Sequence, residues 1–156
     1  MNTLMPASRL TQPQELHDML LFRLWRLTAS ASRPVIQMCE EEFGVTRREW
    51  RMLAELASND GMQSSQLAEQ TGLDRAQTSR AVTSLVIKGF VVREPRPSDR
   101  REVPLRLSEK GLALYERLLP RVAALNRDLV SVLSQTEADA LDAVLRRLQA
   151  QAQSAD

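Results

Sequence analysis

The most informative part of the sequence is residues 63–107, which read QSSQLAEQTGLDRAQTSRAVTSLVIKGFVVREPRPSDRREVPLRL. Two short helical patterns come first, and the run Thr71-Gly72-Leu73 separates them as a glycine-centred turn. Two strand-like runs follow, on either side of a turn rich in proline, serine and aspartate. This order predicts a helix-turn-helix followed by a β-hairpin, which is called the wing below.

Positive charge is concentrated in residues 73–107 of this stretch. Residues 73–107 hold eight basic and four acidic residues, a net charge of +4, whereas the rest of the chain holds 13 basic and 16 acidic residues, a net charge of −3. Arginine outnumbers lysine nineteen to two, and guanidinium groups form forks that match phosphates and guanine edges. A polyanionic partner would explain such a concentration in a chain whose net charge is only +1.

Length and composition exclude several other classes of protein. A chain of 156 residues with 43% hydrophobic content fits one unit with its own core. No apolar run approaches the length of a membrane span and no signal-peptide pattern opens the chain, which predicts a cytoplasmic protein without a membrane partner. A single cysteine, Cys39, and a single histidine, His17, argue against a disulfide framework, a structural zinc site and a histidine-dependent triad. We therefore expect neither an enzyme nor a metal or other cofactor.

A long amphipathic pattern precedes the central stretch. From residue 14 to about residue 43, apolar side chains recur every three to four positions, which predicts helix. Thr11 and Gln14 form a T-x-x-Q pattern like a capping box, which predicts the start of this helix. Pro34 predicts a kink or a break inside it, and Gly44 is the expected stop.

Capping signals place the remaining helices. Ser, Thr or Asp stands where each helix should begin, because its side-chain oxygen can accept a hydrogen bond from an unpaired backbone N–H. The expected N-caps are Thr46, Ser64 or Ser65, Asp74, Ser108 and Thr136. The helices that they open are predicted to span residues 46–57, 64–70, 74–88, 108–133 and 136–148.

The apolar faces of the terminal helices exceed what one small winged helix can cover. We therefore predict a mainly α fold in which residues 45–107 form a winged helix-turn-helix domain, a three-helix core plus the wing, within a single unit of residues 1–156. Residues 11–44 and 108–150 are predicted to form a helical dimerisation region that packs against a second copy. An intramolecular bundle is the alternative arrangement for these helices.

The second helix of a helix-turn-helix enters the major groove of DNA, and its two faces are clearly separated here. Thr78, Ala81, Val82 and Leu85 share one arc and are expected to face the core. Glutamine and arginine on the opposite arc can pair with base edges, and hydroxyl groups can bind bases or phosphates. The DNA-contacting residues predicted for the two helices are Ser64, Ser65, Arg75, Gln77, Ser79, Arg80, Thr83 and Ser84. An ordinary solvated face is the alternative.

The tip of the wing supplies a second group of predicted DNA contacts: Arg96, Asp99, Arg100 and Arg101. Prolines on either side of Arg96 stiffen the tip and prevent ordinary ladder pairing there. Asp99 and Arg101 are two residues apart, so both project to the same side of an extended strand. An ion pair between them could aim the guanidinium into the narrow, electronegative minor groove. The alternative is a local ion pair in a solvated turn.

The run SSQLAEQTGLDRAQTSRAVTSLVIKGFVVREPRPSDRREVPLRLSEKG resembles the winged helix of the MarR family of bacterial transcription regulators. Its D-R-R, followed by L-x-L-S-x-x-G, is close to the wing signature of that family. The helical order before and after is similar too, so the resemblance extends over about residues 14–150. It implies a homodimer that binds pseudo-palindromic double-stranded DNA, usually as a repressor that a small ligand releases.

The resemblance also implies roles for single residues. Arg75, Gln77, Ser79 and Arg80 would contact the major groove, with Asp99 and Arg101 as the wing pair and Arg101 in the minor groove. Three features depart from the family pattern. Thr78 stands where an aliphatic core residue is usual, and Val86 and Ile87 are more apolar than the charged residues usual at that helix end. Pro104 predicts an edge strand or bulge and a shortened wing ladder.

Members of this family often bind aromatic carboxylates or phenols between the dimerisation helices and the winged helix. An arginine could hold a carboxylate and a tryptophan could wall the ring. The candidates are His17, Arg26, Ser30, Trp50 and Arg51. Each has a plainer interpretation: Trp50 as core, His17 as an interface hydrogen-bonding residue, and the two arginines as ion-pair partners. Cys39 lies beside three glutamates that disfavour a thiolate, so we expect it to be buried or idle.

The sequence thus predicts a DNA-binding transcriptional regulator, a homodimeric repressor that is released by a small aromatic acid or phenol. A repressor without an effector, controlled by its own abundance, is one alternative. A helical protein–protein adaptor with a degenerate winged helix is the other. Specific binding to double-stranded DNA, weakened by salt, separates the regulator from the adaptor.

Overall fold

The computed structural model describes residues 8–94 and 103–154. Within them the chain forms seven α-helices and one antiparallel pair of strands, which confirms the mainly helical winged helix-turn-helix architecture. The helices are α1 Leu20–Ala31, α2 Arg33–Phe43, α3 Arg47–Ser58, α4 Ser64–Thr71, α5 Arg75–Ile87, α6 Glu109–Val130 and α7 Gln135–Gln153. The strands are β1 Val91–Arg93 and β2 Leu105–Leu107, paired from Val91–Leu107 to Arg93–Leu105.

The predicted break at Pro34 is confirmed, because α1 and α2 are separate helices. The chain turns at Ser32, and Pro34 lies in the first turn of α2, where a proline leaves no helical acceptor unpaired. At the other end, Gly44 closes α2 with a left-handed φ of 66°. Its conformation lets the Val45 N–H donate to Cys39 O (3.0 Å).

The predicted helix start at Thr11 and Gln14 is wrong. The residues there form a turn and then a short 3₁₀ helix, Leu16–Asp18, so that α1 begins only at Leu20. The Asp18 carboxylate accepts from the backbone N–H groups of Gln14 (3.0 Å) and Glu15 (3.3 Å). These bonds satisfy the free amides locally and close a tight turn in place of the first α-helical turns.

Three of the predicted N-caps, Thr46, Asp74 and Ser108, have the expected geometry. In α3, Thr46 Oγ1 accepts from the Glu49 N–H (3.2 Å) and Glu49 Oε2 accepts from the Thr46 N–H (2.7 Å), which completes a capping box. In α5, Asp74 Oδ1 accepts from the Gln77 N–H (2.7 Å). These side chains fix where α3 and α5 begin.

Two other N-caps lie elsewhere than predicted. Helix α4 begins one residue earlier, because Gln66 Oε1 accepts from the Gln63 N–H (2.9 Å) and makes Gln63 the cap. Ser64 therefore lies inside the first turn of α4. Helix α7 is capped by Ser134, which exchanges hydrogen bonds with Glu137, and not by Thr136. In both helices the N-cap is a residue upstream of the predicted one, because the side chain three positions after it accepts from its backbone N–H.

The core is built around α3, whose Met52 and Leu53 are fully buried against α4, α5, α6 and β2. Helix α5 enters this core with Thr78, Val82 and Leu85, as the arc analysis predicts, while Ala81 is half-buried. The Thr78 hydroxyl donates to Asp74 O (2.9 Å), which satisfies its polar group. This bond explains how a threonine occupies an apolar core position.

The wing joins α6 through a tight junction at the sequence L-x-L-S-x-x-G. Ser108 caps α6 by accepting from the Gly111 N–H (3.0 Å), and its own hydroxyl donates to Gly89 O (2.6 Å). Its backbone N–H donates to Phe90 O (3.0 Å). The serine and glycine of the motif thereby hold the start of α6 against the end of α5. On the strand side, Pro104 contributes its carbonyl, which accepts from the Glu94 N–H (3.0 Å).

The terminal helices expose large apolar side chains. Helices α1 and α7 contain no buried residue, and α7 makes few contacts with the rest of the chain. The exposed side chains on α1, α6 and α7 include Leu21, Trp25, Leu27, Leu112, Leu119, Leu129, Leu141, Val144, Leu145 and Leu148. The intramolecular bundle therefore does not form in the described residues, and these faces are open to a partner.

Among the residues that the structure describes, no helix combines the length and the apolar character that crossing a bilayer requires.

Candidate nucleic-acid interface

Helices α4 and α5 form the helix-turn-helix, and the turn between them depends on Gly72. This residue ends α4 with a left-handed φ of 66°, a conformation that glycine adopts without strain. Asp74 then caps α5 two residues later. In the first turns of α5, Thr78 packs in the core, while Arg75, Ser79 and Arg80 on the other side are exposed to a large partner.

The exposed arc of α5 carries five of the predicted DNA-contacting residues. Arg75, Ser79, Arg80 and Thr83 are exposed, and Gln77 is half-buried beside them. Arginine and glutamine can form bidentate hydrogen bonds with guanine and adenine edges. One face of α5 therefore presents two guanidinium groups and one amide, while the opposite face of the helix packs in the core.

Ser84 is also predicted to contact DNA, but in the structure its hydroxyl is engaged within the chain. Its side chain is half-buried and its hydroxyl donates to Glu49 Oε1 (2.6 Å). Position 84 lies where the start of α3 approaches α5. The α3 capping box holds the Glu49 carboxylate at this place. The carboxylate accepts the hydrogen bond of the Ser84 hydroxyl, so the Ser84 side chain points toward α3.

Ser64 and Ser65 are exposed in the first turn of α4. Backbone N–H groups at a helix N-terminus and neighbouring hydroxyls are common phosphate ligands, because the positive end of the helix dipole lies there. The structure therefore places both serines where a DNA backbone could reach them. Their predicted role concerns position on the duplex, not base recognition.

The four predicted residues at the wing tip, Arg96, Asp99, Arg100 and Arg101, lie outside the described residues. The base of the wing contributes Arg93, which is not among the predicted DNA contacts and enters the sequence argument only through its charge. Arg93 is exposed, and its Nη2 donates to Thr83 Oγ1 (3.3 Å) on α5. It lies two residues after buried Val91, hence on the same face of β1 but beyond the core. That alternation was the signal that could have found it.

Ion pairs within the chain divide the basic residues of this region into two groups. Lys88 Nζ lies 2.8 Å from Glu49 Oε2, while Arg106 pairs with Asp60 and, at 2.8 Å, with Glu94. Arg75, Arg80 and Arg93 have no ion pair among the described residues. The uncompensated positive charge therefore lies on the first half of α5 and at the base of the wing.

The predicted ligand residues fall into two separate groups. Trp50 is buried in the core and stacks on Tyr115, with ring centroids 5.7 Å apart and planes at 19°. Arg51 lies beside it, and both line a cleft of about 380 Å³ with Gln70 and Thr71 of α4. Burial, and then the neighbouring Arg47, lowers the pKa of the Arg51 guanidinium, and Glu55 lines the same cleft.

The other three predicted ligand residues lie near the N-terminus, away from this cleft. His17 is exposed and packs edge-to-face on Phe22, with ring centroids 5.1 Å apart. Arg26 and Ser30 are exposed on α1, where the Ser30 hydroxyl donates to Arg26 O (3.2 Å). Within one chain the five residues are therefore not brought together.

Cys39 is fully buried in the core, as expected. Burial, and to a lesser extent Glu40, raises the pKa of its thiol, which disfavours the reactive thiolate. In residues 8–94 and 103–154, no three His, Cys, Asp or Glu side chains are grouped closely enough to hold a metal ion.

Residues 43–102 match the sequence model of the MarR family. A protein of Thauera aromatica assigned to regulation of the hcr operon is 32% identical over 127 residues, which are 81% of this chain and 76% of that protein. The transcriptional repressor MprA of Escherichia coli K12 is 33% identical over 94 residues, which are 60% of this chain and 53% of the repressor. The chain thus spans about half the length of MprA.

Solved structures agree with these matches. A Pseudomonas aeruginosa protein described as a transcriptional regulator superposes with a TM-score of 0.74 at 27% identity, over 86% of this chain and 99% of that one. BpsR of Bordetella bronchiseptica, whose DNA binding is regulated by 6-hydroxynicotinic acid, has the same fold, with a TM-score of 0.76 at 20% identity over 88% and 97% of the two chains. The curated relatives are regulators of transcription, not enzymes, and this chain belongs to the MarR family of transcriptional regulators.

Proposed function

We propose that this protein is a homodimeric, sequence-specific DNA-binding repressor of a pseudo-palindromic operator, released by a small aromatic acid or phenol. The observation that carries the DNA-binding part is the exposed arc of α5, where Arg75 and Arg80 lie with Gln77 and have no ion pair among the described residues. A MarR-family regulator with such an arc needs a polyanion to satisfy it.

In this proposal the contacts divide into base recognition and positioning. Arg75, Gln77, Ser79 and Arg80 enter the major groove, while Thr83 and Arg93 lie where α5 meets the wing. The phosphate contacts come from the serines at the start of α4, Ser64 and Ser65. The wing tip, with Arg96, Asp99, Arg100 and Arg101, is proposed to reach the minor groove through Arg101.

Two copies are proposed to meet through α1, α6 and α7. These helices carry the exposed apolar faces described above, and α7 is held by little else in the chain. A two-fold dimer repeats the same surface on both partners and so covers these faces at once. It also presents two copies of α5 to DNA, which explains why the proposed operator has two related halves.

The repressor and effector parts of the proposal rest on relatives and on one cleft. MprA is a transcriptional repressor, and the DNA binding of BpsR is regulated by an aromatic acid. The cleft beside Trp50 offers an aromatic wall and, in Arg51, a cation without an ion pair among the described residues. It adjoins α4, the first helix of the helix-turn-helix, so an occupant there would contact the DNA-binding unit directly.

Replacing Arg80 with alanine is expected to weaken binding to a specific duplex by about 1–3 kcal/mol, or about 5- to 150-fold, since one bidentate base contact is lost. The duplex is first selected by the wild-type protein from a random pool. Affinity is then measured by fluorescence anisotropy at two or more salt concentrations. The wild type should lose affinity steeply as salt rises.

The matched control is Arg146→Ala on α7. It removes the same charge from an exposed side chain that only pairs with Asp142 on its own helix. Its affinity should equal that of the wild type. Equal binding by Arg80→Ala and wild type would contradict the assignment of α5, and failure of the wild type to select any duplex would favour the adaptor alternative.

A small aromatic acid is expected to stabilise the protein and to weaken its DNA binding. At a ligand concentration of about 100 Kd the stabilisation is about 2.7 kcal/mol, or about 5–10 °C in melting temperature. The probe is 6-hydroxynicotinic acid, compared with its neutral amide, which should have little effect if Arg51 holds the carboxylate. In Arg51→Gln the acid should lose most of its effect. If neither the acid nor related phenols change melting or DNA binding, the effector-independent repressor is the better description.

A further inference from the structure

Glu49 is a buried carboxylate that no part of the proposed DNA contact uses. It lies in the first turn of α3 and is only 2% exposed. Its Oε2 accepts from the Thr46 N–H, which completes the capping box of α3. A glutamine would serve the cap equally well, because the cap needs only one acceptor oxygen. A buried negative charge here therefore calls for a further explanation.

The other partners of Glu49 come from the recognition helix α5. Its Oε1 accepts from the Ser84 hydroxyl (2.6 Å) and from Lys88 Nζ (3.0 Å), and its Oε2 lies 2.8 Å from the same Nζ. Lys88 Nζ also donates to Gly44 O (2.9 Å), the carbonyl at the end of α2. The Glu49 carboxylate thus joins the start of α3 to the C-terminal end of α5, and Lys88 extends the contact to the end of α2.

The balance of interactions keeps this carboxylate ionised. Burial opposes ionisation, but hydrogen bonds from Lys88, Ser84 and the Thr46 N–H outweigh it and hold the pKa of Glu49 below its ordinary value. Charge-assisted hydrogen bonds are short and directional, unlike the apolar contacts that Thr78, Val82 and Leu85 make on the buried arc of α5. Apolar contacts alone tolerate small rotations of a helix, whereas three directed bonds at one end do not.

We propose that Glu49 is the positioning residue of the recognition helix, because it fixes the C-terminal end of α5 to the α2–α3 junction through Ser84 and Lys88. Together with the Asp74 cap at the other end, this contact sets the rotation at which the exposed arc meets the major groove. Recognition of base edges requires such control, since an arginine guanidinium must lie within a fraction of an ångström and a few degrees of its ideal position on the base edge. The inference rests on the proposed function, DNA binding through α5.

The same contact removes Lys88 from the DNA-binding charge. Its ammonium is surrounded by Glu49 and the Gly44 carbonyl, and its side chain is 33% exposed. Two interpretations of Lys88 then predict opposite results. If Lys88 only anchors α5, loss of Glu49 weakens specific binding. If Lys88 is a latent phosphate contact, loss of Glu49 frees it, and affinity for any DNA rises together with the dependence on salt.

The test compares Glu49→Gln and Lys88→Met with the wild type on two duplexes, the selected one and one of scrambled sequence. Both variants should remain folded dimers. Affinity for the selected duplex should fall about tenfold, as expected when a positioning contact is lost, while affinity for the scrambled duplex and the salt slope stay unchanged. A merely structural role would lower thermal stability without changing the ratio of the two affinities.

Thr46→Ala is the matched control. It removes the Thr46 hydroxyl that caps α3 but keeps the backbone N–H and every contact between Glu49 and α5. It should lower the melting temperature without altering discrimination between the two duplexes. If it changes discrimination as much as Glu49→Gln does, Glu49 acts only through the stability of α3 and the proposal is overturned.

Should Glu49→Gln fail to fold, a double-mutant cycle between Ser84→Ala and Lys88→Met carries the test. Both act through the same carboxylate, so their losses of specific affinity should be clearly less than additive. Full additivity would mean that Ser84 and Lys88 act independently on DNA, which overturns the proposal. A rise in the affinity of Glu49→Gln for both duplexes would also overturn the proposal. A wild-type protein that selects no duplex would overturn the proposed function itself, and this inference with it.

Discussion

Gly111→Ala is expected to destabilise the fold by about 3 kcal/mol, the upper part of the usual range for overpacking. A Cβ at this position would lie 1.9 Å from the carbonyl oxygen of Phe90 and 2.9 Å from its carbonyl carbon. Both atoms belong to the backbone, so no side chain can rotate away. Relief requires α6 to move off the end of α5, which breaks the hydrogen bonds of Ser108 to Gly89 and Phe90.

Thermal unfolding at fixed protein concentration measures this effect, because the melting temperature of a dimer depends on concentration. A loss of about 3 kcal/mol corresponds to about 6–12 °C for a chain of this size. Gly72→Ala is the matched control: Gly72 has a φ of 66° and nothing within 4 Å of the added carbon. It should cost only the left-handed strain, about 1–2 kcal/mol. Equal losses in the two variants would show that close packing at Gly111 is not what the motif protects.

Local signals predicted the architecture well, because each depends on a few neighbouring residues. The caps at Thr46 and Asp74, the break near Pro34 and the stop at Gly44 all involve atoms within a turn or two of each other. Such interactions are readable from spacing alone. The predicted start of α1 is wrong for a similarly local reason. The Asp18 carboxylate accepts from the Gln14 N–H, and the T-x-x-Q pattern does not indicate this competing hydrogen bond.

The candidate site was predictable only as far as helical periodicity reaches. The exposed arc of α5 follows from its spacing, whereas the hydrogen bond that Ser84 makes to Glu49 does not. Its partner Glu49 is 35 positions away, and Lys88 is 39 positions from that carboxylate. No spacing rule connects residues so far apart, because only the packing of α3 on α5 brings them together. For this reason the sequence alone does not indicate that Lys88 is paired with Glu49.

The predicted ligand residues illustrate a second limit. Trp50 and Arg51 meet at one cleft because they are adjacent on α3. His17, Arg26 and Ser30 belong to a segment whose packing within one chain involves little besides α2. Their surroundings depend on what covers α1, which the sequence of a single chain does not specify. The effector proposal therefore uses only the α3 pair.

Leu145→Glu is expected to dissociate the dimer and abolish tight binding to a two-half operator. Leu145 lies in the middle of the α7 face formed by Leu141, Val144 and Leu148, side chains that remain 36–46% exposed in the single chain. Covering a leucine contributes about 1.5–3 kcal/mol, and a carboxylate in its place adds a desolvation cost. A two-fold interface contains each substitution twice. The dimer dissociation constant should therefore rise by at least about a thousandfold, which corresponds to about 4 kcal/mol.

Sedimentation at micromolar concentration should find the Leu145→Glu protein largely monomeric, with its melting transition still cooperative because the core around α3 is untouched. The matched control, Ala143→Glu, adds the same charge to the same helix about 160° around from Leu145, on an exposed position. It should remain a dimer and bind DNA normally. If both variants stay dimeric, the α7 face is not the interface, and another cover for these leucines must be sought. If Leu145→Glu is monomeric yet binds the selected duplex as tightly as the wild type, one copy of α5 with its wing suffices, and the two-half operator is wrong.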